Sequence, residues 1–173
     1  MAGHRGAEAG PIRFAVITVS DRCARGEQRD ESGELIADRC AALPADQAAR
    51  VTVPDEVVEI RDAVRSAAAI ADLVVLTGGT GLGHRDVTPQ ALDGLLDYEV
   101  PGMAEVMRSR GMTSTPHAML SRQLAGVRDR CLVLALPGSR GAVSDCLDAV
   151  WPALPHALAL LGDPGVEHSA AHR

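Results

Sequence analysis

The sequence predicts an α/β fold of three layers, in which a mostly parallel sheet lies between helices on both faces. Strand-like and helix-like segments alternate along the chain, and the strand-like runs are continuously apolar, as in strands that are covered on both faces. In addition, only 2% of the residues are aromatic, so Val, Leu, Ile and Ala must fill the core. Such a composition is typical of α/β layers.

One domain accounts for most of the chain. With 173 residues, 46% of them hydrophobic, the chain is long enough to bury one sizeable core. Two domains of ordinary size would need a longer chain. We assign this domain to residues 11–162. Residues 1–10 and 163–173 are rich in Gly, Ala, His and charged residues, and we expect them to be flexible tails.

The first half of the chain predicts two strands that each lead into a helix. The run IRFAVITV at residues 12–19 predicts the first strand. After a polar loop, Ser32 is expected to cap a helix that ends before Pro44. A short strand over residues 49–53 and a helix over residues 57–68 follow.

The second half continues the alternation. A strand over residues 72–76 leads into a glycine-rich loop, after which Thr88 is expected to cap a helix that runs through Leu96. The remaining predicted elements are helices over residues 101–110 and 115–124, a strand over residues 131–136, and a closing helix that Pro152 and Pro155 interrupt. In such a fold the ligands bind at the carboxyl ends of the strands.

Charge and composition argue against several classes of partner. The formal net charge is −6, whereas a general nucleic-acid binder needs a basic face. No apolar run approaches the roughly 20 residues that span a bilayer, and the first residues lack the apolar core of a secretion signal. We therefore expect a cytoplasmic protein that binds neither nucleic acid nor membrane, and that takes a small anionic ligand only where local groups offset its negative charge.

The four cysteines, Cys23, Cys40, Cys131 and Cys146, show neither the spacing of a metal site nor the density of a disulfide framework. We expect buried, free thiols. No pair of histidines has zinc-ligand spacing, so the sequence predicts no structural zinc site.

The glycine-rich segment LTGGTGLGHRDVTP at residues 76–89 is the first candidate for a functional loop. Gly78, Gly79, Gly81 and Gly83 permit positive φ and let backbone N–H groups approach an anion. The loop lacks the last glycine of the dinucleotide fingerprint, and no GK[ST] follows as in a Walker A loop. The glycines alone leave a phosphate site and a plain tight turn equally open.

The charged residues of this loop favour the phosphate site. Arg85 offers a guanidinium fork for an anion, whereas the carboxylate of Asp86 repels one unless it holds a cation. Mg²⁺ is the natural cation, because it takes one or two carboxylates together with phosphate oxygens, and Asp55 is the candidate second ligand. The alternative for Asp55 is an ordinary helix cap.

Other polar residues follow the predicted strands or lie on a helix, and each has a plain structural alternative. Ser139 is a candidate helix cap whose neighbouring N–H groups suit an anion. Ser121 and Arg122 lie on a predicted helix, where a surface serine and an exposed arginine are the favoured interpretation. His84 and His117 are expected to be loop or cap residues, without a role in proton transfer.

Six motifs in order, TVSDRCARGEQRDESG, VPDE, LTGGTGLGHRDVTPQAL, VPGMAEVMR, MLSRQLAGV and LALPGS, resemble those of the MogA/MoaB family of molybdenum-cofactor biosynthesis proteins. The resemblance covers residues 12–161, and the helix start DESGELIADR is more like the MoaB branch. It implies a molybdopterin-binding α/β fold and an enzyme that transfers AMP from ATP to molybdopterin with Mg²⁺, releasing pyrophosphate. It also implies a homotrimer or homohexamer, and contact with a molybdate-inserting enzyme.

The resemblance implies roles for residues at the matching positions. The functional, metal-binding aspartates fall on Asp55 and Asp86, with Arg85 beside them. The residues expected to bind molybdopterin and nucleotide are Ser20, Asp21, Gly78, Gly79, Thr80, Gly81, Thr88, Ser121, Arg122, Pro137, Gly138 and Ser139. Where relatives often carry a lysine after the LPGS turn, this chain has Arg140 and Gly141, which leaves any contact there open.

The implied reaction needs no catalytic base, because the attacking phosphate of molybdopterin is already an anionic oxygen. Catalysis then consists of alignment and charge neutralisation. Two alternatives stay open: a non-catalytic carrier or scaffold that binds molybdopterin, and a pyrophosphatase of the competence-protein type.

Overall fold

The structure is a computed structural model that describes residues 11–162, so the predicted tails lie outside the described residues. The first half of the domain comprises β1 (Ile12–Val19), α1 (Asp21–Ala24), α2 (Glu31–Ala41), β2 (Ala45–Val53), α3 (Val57–Ala68) and β3 (Leu73–Thr77). The second half comprises α4 (Thr88–Leu92), β4 (Tyr98–Glu99), α5 (Pro101–Met112), a 3₁₀ helix (Pro116–Leu120), β5 (Leu124–Arg128), β6 (Cys131–Leu136), α6 (Arg140–Val150), a 3₁₀ turn (Trp151–Ala153) and α7 (Leu154–Gly162).

The strands form one six-stranded sheet in the order β2-β1-β3-β6-β5-β4. The pairs β1 with β2, β1 with β3 and β3 with β6 are parallel, and β5 runs antiparallel to both of its neighbours. In the centre, Val75 pairs with Val16 on one side and with Leu134 on the other. The sheet is therefore mostly parallel, as the sequence predicts.

Two hydrophobic clusters cover the two faces of this sheet. On one face, Val75 and Leu134 pack with residues of α2, α5, α6 and α7. On the other face, Ile17 and Leu76 pack with residues of α3 and α4. Full burial of each such side chain contributes about 1.5–3 kcal/mol. These three layers confirm the predicted fold class, and they leave the loops at the carboxyl ends of the parallel strands on one edge.

Several predicted element boundaries were wrong. The cap of α2 is Asp30, whose side chain accepts a hydrogen bond from Gly33 N, while Ser32 lies inside the helix. Thr88 is the first residue of α4 rather than its cap. That helix ends at Leu92, because Asp93 is extended and Gly94 has a φ of 63°. The predicted second strand begins four residues earlier than expected, at Ala45.

The predicted helix over residues 115–124 is a 3₁₀ helix followed by a strand. The strand β5 pairs with β6 through a tight hairpin in which Asp129 has a φ of 54°. The sequence also missed α1 and β4, which are only four and two residues long. The predicted interruption at Pro152 and Pro155 is confirmed by the 3₁₀ turn between α6 and α7. No helix in the described range has the length and apolar character that a membrane span requires.

Candidate functional site

A cleft of about 310 Å³ opens at the carboxyl ends of β1, β2, β3 and β6. Six of the residues predicted to be functional line it, namely Ser20, Asp55, Gly78, Gly79, Gly138 and Ser139. Sequence reasoning missed other lining residues, which include Thr18, Cys23, Gln28, Arg29, Asp30, Glu31, Ser32, Thr77 and Arg140. The topology thus brings the loops after four parallel strands to one place.

A larger and shallower cavity of about 550 Å³ lies between α5 and α6. Val106, Arg110 and Asp148 are among its lining residues, and none of the predicted functional residues reaches it. Because the start of the glycine loop, Asp55 and the strand ends all meet at the smaller cleft, we take that cleft as the candidate site. Asp86 and Arg85 do not line it and belong to the far half of the glycine loop.

The glycine loop begins in a conformation that requires glycine. Gly78 and Gly79 have φ values of 102° and 66°, and a Cβ on either residue would collide with a neighbouring atom. Thr88, which is fully buried, donates its hydroxyl to the Gly78 carbonyl at 2.8 Å and its N–H to the Gly79 carbonyl at 3.0 Å. Thr88 therefore supports the loop from beneath.

Ser121 and Arg122 contact the far half of the same loop. The Arg122 Nε donates to the Gly81 carbonyl at 2.8 Å, and its guanidinium also donates to the Asp86 carbonyl. The Ser121 and Thr80 hydroxyls lie 3.1 Å apart. The structure brings these predicted site residues to the loop, where their polar groups hold its backbone.

Asp55 lies between the cleft and the loop after β1. Its Oδ2 accepts a hydrogen bond from Asp21 N at 2.8 Å. The cap of α3 is Glu56 rather than Asp55, so the alternative of an ordinary helix cap is wrong. Burial raises the pKa of the Asp55 carboxyl, and the negative charges of Asp21 and Asp86 add to the rise, while the Asp21 N–H and Arg85 oppose it.

The carboxylates of Asp55 and Asp86 both lie against the glycine loop and are suited to Mg²⁺. A Cβ on Gly79 would lie 3.3 Å from Asp55 Oδ1, and a Cβ on Gly81 would lie 2.8 Å from Asp86 Oδ2. Within residues 11–162, no hydrogen bond reaches Oδ1 of either aspartate. In this part of the chain, no group of three or more His, Cys, Asp or Glu residues is arranged to hold a metal ion. Two carboxylate oxygens fit an ion that fills its other positions with water and phosphate oxygens.

Arg85 contacts two carboxylates. Its Nε and one terminal nitrogen donate to the two oxygens of Asp21 at 3.1 and 3.0 Å, and its other terminal nitrogen lies 2.8 Å from Glu56 Oε1. These contacts raise the pKa of Arg85, and the Arg85 hydrogen bonds lower the pKa of Asp21. The predicted anion-binding fork is therefore held by side chains of the protein.

The opposite wall of the cleft is built on caps and strand ends. Thr18 donates to Asp30 Oδ2 at 2.7 Å, and Arg50 pairs with the same oxygen at 3.0 Å. Ser32 donates to the Gly138 carbonyl at 2.8 Å, and Thr77 donates to the Pro137 carbonyl at 2.7 Å. These bonds fix the turn after β6.

Two of the three serines that are expected to bind ligand, Ser20 and Ser139, are helix N-caps. Ser20 Oγ accepts from Cys23 N at 3.2 Å, and Ser139 Oγ accepts from Ala142 N at 3.3 Å. Because Ser139 and Arg140 line the cleft, the eleven-residue helix α6 presents its positive end there. This arrangement favours an anionic ligand.

A signal for the missed wall residues was present in the sequence. Asp30 precedes Gly33 by the three positions that separate a helix cap from the N–H it accepts, and Thr18 and Thr77 are polar residues at the ends of apolar strands.

Three of the four cysteines are buried free thiols, as predicted, and burial raises the pKa of Cys40, Cys131 and Cys146 to about 12. Cys23 differs, because it is partly exposed in the cleft. The prediction of a buried thiol was wrong for this residue, which lies on the short helix α1 that the sequence did not reveal.

Comparison with known proteins places this chain in a family. The family described as a probable molybdopterin binding domain matches residues 15–156. The molybdopterin adenylyltransferase of Helicobacter pylori strain 26695 is 34% identical over 161 residues, which cover 87% of this chain and 88% of that protein. A molybdenum cofactor biosynthesis bifunctional protein of Synechococcus elongatus is 43% identical over 94% of this chain. The chain spans 50% of the length of that relative.

A solved structure agrees with the sequence relatives. The molybdopterin biosynthesis enzyme MoaB of Thermus thermophilus superposes with a TM-score of 0.81 at 47% identity, over 87% of this chain and 96% of that chain. The similarity includes the six-stranded sheet and its helices. The chain therefore belongs to the MogA/MoaB family of molybdenum-cofactor biosynthesis proteins.

Proposed function

We propose that this protein is a molybdopterin adenylyltransferase, which transfers AMP from ATP to the phosphate of molybdopterin. The observation that carries the proposal is a pair of carboxylates against the glycine loop, Asp55 at the cleft and Asp86 beside the far half of the loop. The name of the Helicobacter pylori relative, which this chain covers over 88% of its length, supports the same activity.

The reaction is a substitution at phosphorus. An anionic oxygen of the molybdopterin phosphate attacks the α-phosphorus of ATP, the bond from that phosphorus to the β-phosphate oxygen breaks, and pyrophosphate leaves. No proton is transferred, because the attacking phosphate oxygen is already anionic. The protein must align two anionic substrates and reduce their repulsion.

The nucleotide phosphates are proposed to lie over the glycine loop, on Gly78, Gly79, Thr80 and Gly81. Thr88, Ser121 and Arg122 keep that loop in shape from behind. The pterin is proposed to lie toward Ser20 and the turn of Pro137, Gly138 and Ser139, at the positive end of α6. Asp55 and Asp86 would hold Mg²⁺, which when bound supplies positive charge to the reacting phosphates.

Two further proposals concern the surroundings of this reaction. The adenylylated product is proposed to pass to a molybdate-inserting enzyme. The relative of Synechococcus elongatus is named a molybdenum cofactor biosynthesis bifunctional protein, and this chain spans 50% of its length. A homotrimeric or homohexameric assembly and a cytoplasmic location stay predictions.

The test is an adenylylation assay with purified protein, molybdopterin, ATP and Mg²⁺, in which adenylylated pterin and pyrophosphate are both measured. Asp86→Asn keeps an acceptor for the Gly83 N–H but loses the charge, so kcat/KM is expected to fall on the order of 100-fold or more. The matched control is Asp62→Asn, which should retain wild-type activity. Asp62 is an exposed aspartate on α3 whose ion pair, among residues 11–162, is with Arg65 alone.

The other outcomes of this assay identify the competing functions. Wild-type protein that binds molybdopterin but forms no pyrophosphate would be a carrier. Hydrolysis of nucleotide in the absence of pterin would indicate a pyrophosphatase. Either result would overturn the proposed adenylyl transfer. Full activity after Mg²⁺ has been removed with a chelator would overturn the metal-binding role of Asp55 and Asp86.

A further inference from the structure

Asp21 joins three loops of the candidate site. It is the first residue of α1, two positions after the end of β1, and it contacts both Asp55 in the loop after β2 and Arg85 in the glycine loop. Only 25% of its side chain is exposed, and both carboxylate oxygens accept hydrogen bonds. Because both of its oxygens already accept hydrogen bonds from the protein, Asp21 has few acceptor positions left for a ligand.

The contact between Asp21 and Asp55 is reciprocal. The Asp21 N–H donates to Asp55 Oδ2 at 2.8 Å, and the Asp55 N–H donates to Asp21 Oδ1 at 3.0 Å. Each backbone thereby fixes the other side chain, because hydrogen bonds from N–H groups to carboxylates are short and directional. Asp55 Oδ1, which accepts no hydrogen bond within the described residues, is left beside Gly79.

Two carboxylates this close repel each other, and a nearby cation offsets the repulsion. Arg85 supplies the cation, because two of its nitrogens bind the two oxygens of Asp21 as a fork. Its remaining terminal nitrogen pairs with Glu56, the residue after Asp55. The guanidinium therefore fastens both oxygens of Asp21, including Oδ1, which also accepts the Asp55 N–H.

We propose that Asp21 is a positioning residue, which Arg85 holds in place and which in turn fixes the carboxylate of Asp55 against the glycine loop. Asp21 acts through Asp55 and does not contact the substrates, and Arg85 likewise acts through Asp21. This inference rests on the proposed adenylyl transfer, in which Asp55 takes part. It assigns to Asp21 and Arg85 a role that differs from ligand binding.

Kinetics of Asp21 variants test the proposal. Asp21→Ala removes the acceptor for the Asp55 N–H, and kcat is expected to fall roughly 10- to 100-fold while KM for ATP changes less than about threefold. Asp21→Asn keeps an oxygen acceptor and should recover most of that loss. The matched control is Glu27→Gln, since Glu27 pairs with Arg25 through two similar bonds without reaching Asp55. An Asp21→Ala variant that keeps wild-type kcat would overturn the proposal.

A double-mutant cycle separates positioning from direct contact. In an Asp55→Asn background, Asp21→Ala should cause little further loss, because residues that act through one another are not additive. If the two losses multiply, or if Asp21→Ala raises KM as much as it lowers kcat, Asp21 contacts a substrate and the proposal is wrong.

Amide hydrogen exchange measured by NMR tests the same contacts without substrate. In Asp21→Ala the Asp55 amide should exchange at least about tenfold faster, since it loses its acceptor, while amides of the central strands, such as those of Ile17 and Leu76, keep their wild-type rates. An unchanged Asp55 amide would overturn the proposal. If the wild-type protein makes no product, adenylyl transfer fails, and faster Asp55 exchange still supports the positioning by Asp21.

Discussion

Gly78 lies where the end of β3 passes the backbone of β1, and it donates its N–H to the Leu136 carbonyl at 3.0 Å. Its φ of 102° is outside the range of ordinary residues, and a Cβ would collide with the Val19 carbonyl. The close approach of two backbones, rather than the ligand alone, thus requires a glycine here.

We therefore expect Gly78→Ala to destabilise the protein more than a matched change at Gly94. Gly94 also has a positive φ, 63°, but a Cβ there would meet no atom within 4 Å. The strain of φ alone costs about 1–2 kcal/mol, which is the expected loss for Gly94→Ala. The collision at Gly78 should bring the loss to about 3 kcal/mol or more. Urea unfolding measures both, and equal losses would contradict this account.

At the scale of single residues, motif and position predicted the aspartates but not their contacts. Asp55 and Asp86 follow strands within a distinctive motif, so the sequence located both. Arg85 was expected to face an anion, whereas it pairs with Asp21, which is 64 positions away in the chain. Partners so far apart are decided by the packing of loops, which no local pattern reports.

Among the elements, β5 is a strand that the sequence did not predict. Its residues LAGVR lack the alternation of a strand, and Leu124 fits the helical spacing of Met119 and Leu120. The segment becomes a strand because it pairs with β6 through a two-residue hairpin. The long elements β1 and α3 were predicted within a residue, since their own periodicity or apolar run defines them.

The change from 3₁₀ helix to strand also explains how Arg122 reaches the glycine loop. The residue lies between the 3₁₀ helix and β5, and its N–H donates to the Thr80 carbonyl at 2.8 Å. Its guanidinium donates to two more carbonyls, those of Gly81 and Asp86. The connection into β5 thus supports the loop as a unit.

Loss of the fork at Arg122 should loosen the glycine loop. Arg122→Lys keeps the charge but not the two parallel donors, and we expect faster amide exchange over residues 79–86 and a loss of about 1–2 kcal/mol of stability. Arg128→Lys is the matched control, because Arg128 also donates to a carbonyl, that of Leu95, away from this loop. If both variants change exchange in the loop equally, Arg122 has no specific supporting role.

For the molecule as a whole, the sheet is shared by the two hydrophobic clusters. Neighbouring residues of one strand serve opposite faces, as Val75 and Leu76 do in β3. The cleft lies at the edge where the strands leave both clusters, and its loops come from β1, β2, β3 and β6 together. The geometry of the site therefore depends on both faces of the sheet being formed.

We accordingly expect the two faces to unfold in one transition. Leu76→Ala on one face and Leu134→Ala on the other remove fully buried side chains, and each should cost about 2–5 kcal/mol. Val51→Ala, at the edge strand and 38% exposed, should cost about 0.5 kcal/mol or less. Urea unfolding at one protein concentration, followed by far-ultraviolet circular dichroism and by the fluorescence of Trp151, measures this.

The single tryptophan makes the comparison informative. Trp151 packs against the cluster that contains Leu134, so its fluorescence reports the face opposite Leu76. In Leu76→Ala the fluorescence midpoint should fall together with the midpoint of circular dichroism, because the central strands β1, β3 and β6 belong to both clusters. A fluorescence transition that stays at the wild-type midpoint while circular dichroism shifts would show that the faces unfold separately, and the site would then depend on one face only.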